Sequence, residues 1–212
     1  MKFDLHIHSK YSYDGVLEPK TIVDIAIKKG LQGIAITDHN TIKGGLEAKE
    51  YESKDLQVIV GSEISTEKGE IIGLFLSQEI KSRDVHSVVA EIKDQGGIVV
   101  IPHPFDGLRS SAFRVSEEYV KFIDAIEGFN SRCVLQRYNR KAIEFATRYN
   151  LSVVAGSDAH YANEIGKGGI ITEISNAREA ILTNNISIWG ITSPLCLFNH
   201  IRTKVLKTRR SV

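Results

Sequence analysis

Apolar residues along this chain follow two alternating rhythms. Short β-branched runs recur at residues 33–37, 57–61, 70–76, 98–101, 125–129, 151–155 and 169–174, the pattern of strands buried on both faces. Between most of them the apolar positions take a helical spacing. Residues 19–29 open with Pro19, place Ile22, Ile25 and Ala26 on one face and stop at Gly30, as a helix with a proline first turn does. Val85, Val88, Val89 and Ile92 make a second such face, halted by Gly96-Gly97. Leu135, Tyr138, Ala142 and Phe145 make a third, and residues 177–183 a last one. Strands alternating with helices predict parallel strands joined by right-handed crossovers. Residues 67–76 break the rule: Lys68-Gly69 turns the chain with no helix between, so a hairpin is expected there.

The polar residues decide between an open sheet and a barrel. They fall at the C-terminal ends of successive strands, where a β/α barrel carries its active-site rim. The expected fold is therefore α/β, a distorted (β/α)7 barrel in a single domain over residues 1–198. A basic segment over 199–212 follows.

Composition narrows the picture. With 212 residues, 42% hydrophobic and 25% charged, the chain fits one globular core. A formal charge of +1 argues against a surface built wholly around nucleic acid. No apolar run is long enough to span a bilayer, and the first residues lack the pattern of a signal sequence. Cys133 and Cys196 stand far apart and outside any metal-binding spacing, so two reduced, buried thiols in a cytoplasmic protein are expected.

Candidate chemistry starts on the first strand, Phe3-Asp4-Leu5-His6-Ile7-His8-Ser9. Residues two apart on a strand point the same way, so His6 and His8 present two imidazoles to one face. Such a pair suits a borderline divalent metal such as zinc, manganese or iron, although a structural pair would look the same. Similar groups then recur at later strand ends: Asp38-His39, Gly61-Ser62-Glu63, His103-Pro104 and Gly156-Ser157-Asp158-Ala159-His160. Buried ionisable groups are costly unless paired or metal-bound, so a repeated rim of carboxylates and imidazoles reads as a metal site.

These blocks, with Ile126-Glu127-Gly128-Phe129-Asn130 between the last two, resemble the PHP family, named for its polymerase and histidinol phosphatase members. The resemblance runs from Asp4 to His160 and includes every main block in order. It implies a distorted seven-stranded β/α barrel and two to three divalent ions (manganese, zinc or iron, with magnesium possible). It also implies a sharing of ligands. His6, His8, Glu63 and Asp158 would form a first metal position, and Glu63 would bridge to a second completed by His103. Asp14, His39 and His160 would form a third, with Asp14 before Gly15 otherwise readable as a turn residue. Glu63, Asp158 and His103 are the expected catalytic centre. Many relatives place a further histidine on or after the strand that follows the glutamate block. Here that stretch offers only Glu70, so the second metal would bind more weakly or take Glu70 or water.

The activity implied is hydrolysis of a phosphate ester by a metal-bridging hydroxide, with the metals stabilising charge on phosphorus. Substrates implied are phosphorylated small molecules, nucleotides or short oligonucleotides. A histidinol-phosphate-type phosphatase and a non-catalytic PHP binding module are the alternatives. An amidohydrolase-like barrel also starts with a histidine pair, but no strand end here offers its metal-bridging lysine. Asp4 and Asp38 read either as carboxylates orienting metal-bound imidazoles or as caps on nearby backbone amides, and Glu127 as an orienter of a ligand or water. Arg109 and Arg132 follow rim segments and suit a bidentate phosphate clamp, with ordinary surface arginines as the other reading. Phe105 is a lid residue or a stacking surface. His86 and His200 belong to no block. The segment 200–210 has five basic residues and no acid: a solvated terminal helix, or a contact for nucleic acid.

Overall fold

A computed structural model describes residues 1–192, Asn199 and 201–203. In chain order the first half runs β1 (Lys2–Ile7), α1 (Pro19–Lys28), β2 (Gly33–Ile36), α2 (Lys43–Lys49), β3 (Gln57–Thr66), β4 (Gly69–Leu74) and α3 (Val85–Asp94). The second half runs β5 (Ile98–Ile101), β6 (Ala125–Asn130), α4 (Gln136–Arg148), β7 (Ser152–Gly156), β8 (Gly168–Ile171), α5 (Ala177–Leu182) and β9 (Ser187–Gly190).

The strands form one sheet in the order β7-β6-β5-β4-β3-β2-β1-β8-β9. β1, β2 and β3 are parallel. β4 runs antiparallel between β3 and β5, which sets β5 back in the common direction, and β6 and β7 follow in parallel. The sheet then curls so that β7 meets β1. Ile7 bridges Ala159, His8 N donates to the Ala159 carbonyl at 2.8 Å, and Ser157 N donates to the Asp4 carboxylate at 2.8 Å. The result is a nearly closed, barrel-shaped sheet within a mixed α/β fold. One buried cluster takes a residue from each of eight strands: Phe3, Ala35, Ile59, Ile72, Ile98, Ala125, Val154 and Ile170. A cluster fed by eight of the nine strands is the interior of a barrel, packed rather than hollow.

The helices cover the outside as their spacing predicts. α1 buries Pro19, Ile22, Val23 and Ala26, and α3 buries Val85, Val88, Val89 and Ile92. Gly30 and Gly96 lie just beyond them at φ of 70° and 67°, left-handed positions that release a helix at little cost to glycine. The residue 67–76 region is the expected hairpin, with β3 running on to Thr66. Three features differ from the sequence expectation. β8 is not a further parallel strand but pairs antiparallel with β1. β9 pairs with β8 and was not foreseen, because it is only four residues long and half-exposed. α2 carries Gly44 and Gly45, which hide it from propensity.

Cys133 is a buried free thiol. Cys196, His200 and most of the basic tail lie outside the described residues. Among the described residues no helix is long and apolar enough to cross a membrane.

Candidate metal centre

The strands that run in the common direction deliver their C-terminal ends to one rim, and the candidate residues arrive there together. His6 and His8 come from β1, His39 follows β2, and Glu63 lies on β3. His103 follows β5, Glu127 lies on β6, and Asp158 and His160 follow β7. Because β4 runs the opposite way, the start of that strand reaches the same rim, and it carries Glu70. Two of the strand-end residues hold the left-handed backbone, His103 at φ 33° and Asp158 at φ 56°. Non-glycine residues hold such angles only where the surroundings impose them, and they concentrate at functional sites.

The donor atoms converge. His6 Nε2 lies 3.1 Å from His8 Nε2, 3.5 Å from Glu63 Oε2 and 3.8 Å from Asp158 Oδ1. His8 Nε2 lies 3.4 Å from each of the same two carboxylate oxygens. The other oxygen of Glu63 is 3.0 Å from His103 Nε2, so this carboxylate spans two groups of donors. Glu70 stands 3.8 Å from His103 Nε2 and 3.7 Å from His39 Nδ1. On the far side Asp14 Oδ2 faces His39 Nε2 at 3.3 Å and His160 Nε2 at 3.1 Å. All of these side chains are buried, none more than 8% exposed.

Burial of so many charges sets their protonation. Burial works against charge at His6, but Glu127, Asp158 and Glu63 outweigh it and raise its pKa well above the usual histidine value. His39 behaves alike, raised to about 9 by Glu63 and Asp14 against burial. His8 goes the other way, to about 3, through burial and the neighbouring His160. Burial alone would raise Glu63 and Asp158, but both are held far below the carboxylate range, Glu63 by His6 and His39 and Asp158 by Arg109 and His6. Protons on His6 and His39 thus balance the carboxylates. A divalent cation supplies the same balance.

The fit to such a cation rests on the donors themselves. Imidazole nitrogens and carboxylate oxygens spaced 3.1–3.8 Å apart match the spread of ligands around an ion bound at about 2.0–2.2 Å. Buried His39 Nδ1 and His103 Nδ1 have no hydrogen-bond partner, an unusual state for buried polar atoms.

The supporting groups differ from the expectation in part. Glu127 Oε1 faces His6 Nδ1 at 2.9 Å, while Oε2 accepts from His103 N at 2.9 Å. Asp4 and Asp38 touch no imidazole edge with their carboxylates. Asp4 accepts from the amides of Ser157 and Gly166, each at 2.8 Å, and Asp38 accepts from Ser9 N at 2.5 Å and Ser9 Oγ at 2.6 Å. Burial raises the pKa of both to about 6. These contacts tie the β1 loop and the β7–β1 seam.

Arg109 stands at the rim, 18% exposed, with Nη2 2.6 Å from Asp158 Oδ2 and Nε 3.1 Å from Asp106. It leaves Asp158 Oδ1 to the donor cluster. Arg132 is not laid out as a surface clamp. It is buried, with its guanidinium against His160 Nδ1, 3.0 Å from Thr203 Oγ1 and 3.7 Å from Glu164. Phe105 packs towards Phe145, and exposed His86 meets the edge of Phe122.

Three supporting residues escaped the sequence reading. Ser12 Oγ faces His8 Nδ1 at 3.2 Å and donates to Asp14 at 2.9 Å. Asn130 donates to Glu127 at 2.9 Å and to Asp158 at 3.2 Å. Glu164 accepts from His160 N at 2.8 Å. Asn130 ends the Ile126–Asn130 block, where a polar side chain on a buried strand end was the available signal, and Ser12 lies in the loop after β1. Glu164 carried none.

Comparison with known proteins agrees with this architecture. The PHP domain model matches residues 4–183, and the chain belongs to the PHP family. It is 42% identical over 144 residues to an uncharacterized protein of Methanocaldococcus jannaschii, covering 62% of this chain and 82% of that one. It is 34% identical over 128 residues to a 5'-3' exoribonuclease of Haemophilus influenzae, covering 52% of this chain and 45% of that longer one. Among solved structures, a two-domain protein of Bacteroides vulgatus containing a predicted PHP-like metal-dependent phosphoesterase superposes with a TM-score of 0.76 at 23% identity. That superposition covers 90% of this chain and 65% of the other.

Proposed function

We propose that the chain is a metal-dependent phosphoesterase acting on nucleotides or short oligonucleotides. The observation that carries the catalytic reading is the convergence of His6 Nε2, His8 Nε2, Glu63 Oε2 and Asp158 Oδ1 within 3.8 Å of one another along the measured pairs. In this reading these four hold a first divalent ion, Glu63, His103 and Glu70 a second, and Asp14, His39 and His160 a third. Manganese, zinc and iron suit the mixed imidazole and carboxylate set, with magnesium the poorer match. When bound, such ions supply positive charge for the phosphate and lower the pKa of water so that it attacks at neutral pH.

The residues of the chain do the rest. Glu127 and Ser12 hold the Nδ1 edges of His6 and His8, which leaves both Nε2 atoms facing the centre. Arg109 takes one oxygen of Asp158 and, being partly exposed, offers its remaining N–H groups to a phosphate oxygen. Arg132, which its burial keeps from that task, supports His160. A cavity of about 470 Å3 between the β3–β4 hairpin and the 110–119 loop has Glu70 on its wall, with Ser65, Ser111, Arg114 and Tyr119 around it. We place the leaving group there. The exoribonuclease relative favours a nucleotide over a histidinol-phosphate-type substrate, and the intact donor set favours catalysis over a binding module.

The test is a panel of nucleotides, short oligonucleotides, histidinol phosphate and simple aryl phosphates, offered to the chain after loading with manganese or zinc. Phosphate release from the nucleotide group, abolished by chelator and restored by metal, is the expected result. A fully loaded chain that cleaves nothing in the panel overturns the catalytic reading and leaves a binding module.

A further inference from the structure

The PHP model ends at residue 183, yet residues beyond it reach the candidate centre. Asn199 and Thr203 are 2% and 6% exposed, and the Thr203 hydroxyl donates to the Asn199 carbonyl at 2.9 Å, a helical spacing that puts both on one face. That face meets the segment that carries His160 through two contacts and Arg132 through a third. Asn199 Nδ2 donates to Glu164 Oε1 at 2.9 Å. The other oxygen of Glu164 accepts from the amides of His160 at 2.8 Å and Tyr161 at 3.1 Å. Arg202 lies over the Tyr161 ring at 4.3 Å. Thr203 Oγ1 accepts from Arg132 Nη2 at 3.0 Å, and the same guanidinium contacts His160 Nδ1. Both the main chain and the ring of His160 are therefore reached through one intermediate residue each.

We propose that Asn199, Arg202 and Thr203 form a latch that positions His160 for the metal position it forms with Asp14 and His39. The inference rests on the metal-centre reading above. It gives these three residues a role as a positioning element, distinct from the solvated helix or nucleic-acid contact that the basic sequence around them suggests. A carboxylate that takes two successive amides fixes the backbone at His160, and Asn199 fixes that carboxylate. The Asp158 carbonyl faces His160 Nδ1 at 2.9 Å, Arg132 packs against that edge of the ring, and Thr203 fixes Arg132. Partners at one remove from a metal ligand typically matter by about 10–100-fold in affinity.

The test compares the full chain with Thr203→Val, which keeps shape and loses the hydroxyl, Thr203→Ser, which retains it, and Asn199→Ala. Manganese binding is measured by competition with a chelating dye, equivalent by equivalent, beside thermal unfolding of the metal-free proteins. Thr203→Val and Asn199→Ala are expected to weaken one equivalent by about 10-fold or more and to leave the tightest equivalent unchanged, while Thr203→Ser, which keeps the hydroxyl, binds as the parent chain does. Equal affinities in all four proteins overturn the latch. So does an equal weakening of every equivalent, which marks a general loosening of the fold. If Asn199→Ala does not fold, the valine and serine pair decides the matter alone. A parent chain that takes up no manganese overturns the metal reading itself and the latch with it.

Discussion

The two sides of the donor cluster are built to different standards. On the β1 side each histidine has its remote nitrogen faced by an oxygen: His6 by Glu127 at 2.9 Å and His8 by Ser12 at 3.2 Å. On the β3–β5 side His103 Nδ1 has no hydrogen-bond partner among the described residues. A ligand whose far edge is tied presents one tautomer in one orientation, and no ordering remains when the ion arrives. The difference teaches which position is preorganised. We expect the His6–His8–Glu63–Asp158 position to fill first and most tightly, and the position at Glu63, His103 and Glu70 to fill later.

Asp158 gives the largest expected effect. Asp158→Asn removes the charge from the ordered side, and asparagine accepts the left-handed backbone that position requires, at φ 56°. The fold should therefore survive. Turnover should fall by more than the about 10–100-fold expected for a residue one step removed. Near-parental activity at saturating metal would remove Asp158 from the centre. Glu127→Gln is the next step down. It should weaken the tightest equivalent by about 10-fold with a small change in thermal stability, read by the same chelator competition. An unchanged first equivalent would mean that the ordering of His6 does not depend on the Glu127 charge.

Much of this arrangement was legible before any coordinates, for a physical reason. Strand ends at one rim of a barrel are adjacent in space however far apart they lie in sequence, so His6, Glu63, Asp158 and their neighbours could be grouped from strand order alone. The barrel itself was legible because seven apolar runs keep a strand's rhythm. What stayed hidden depended on partners rather than pattern. Asp4 and Asp38 sit next to histidines in sequence but turn their carboxylates to the amides of Ser157, Gly166 and Ser9. Arg132 looks like a loop arginine, and only the packed structure shows it buried against His160 and Thr203. The strand β9 was hidden because it needs β8 beside it, and β8 reversed direction.

Glu70 sharpens the comparison from the looser side. Its pKa is raised by burial and then by Glu63. Glu70→Gln should lower only the affinity of the later equivalent, by less than the Glu127 substitution lowers the first, and should leave the first alone. A loss at the tightest equivalent instead would show that the two positions are not separable along Glu63.

A last comparison of the two sides is made by pH. A metal bound to an imidazole nitrogen must displace any proton there, so affinity depends on pH only below the pKa of each ligand. His8 lies at about 3 and is already neutral across the working range. His39 lies at about 9, where Glu63 and Asp14 overcome burial, and His6 is raised well above its usual value through Glu127. The sign follows directly. As pH rises through about 9 the His39 proton leaves without help and its contribution levels off. As pH falls below that value, affinity drops by up to about tenfold per unit for each proton displaced. Ser12 and Glu127 order the first position, but Glu127 also holds a proton on His6, so the tight site has a pH dependence of its own. Manganese titrations at pH 6, 7, 8 and 9, in buffers of different ionisation heat, count the protons released. One proton from the first equivalent and one from the equivalent that engages His39 are expected. Binding that is flat from pH 6 to 9, with no proton released, would show that the metal-free chain does not balance its carboxylates with His6 and His39.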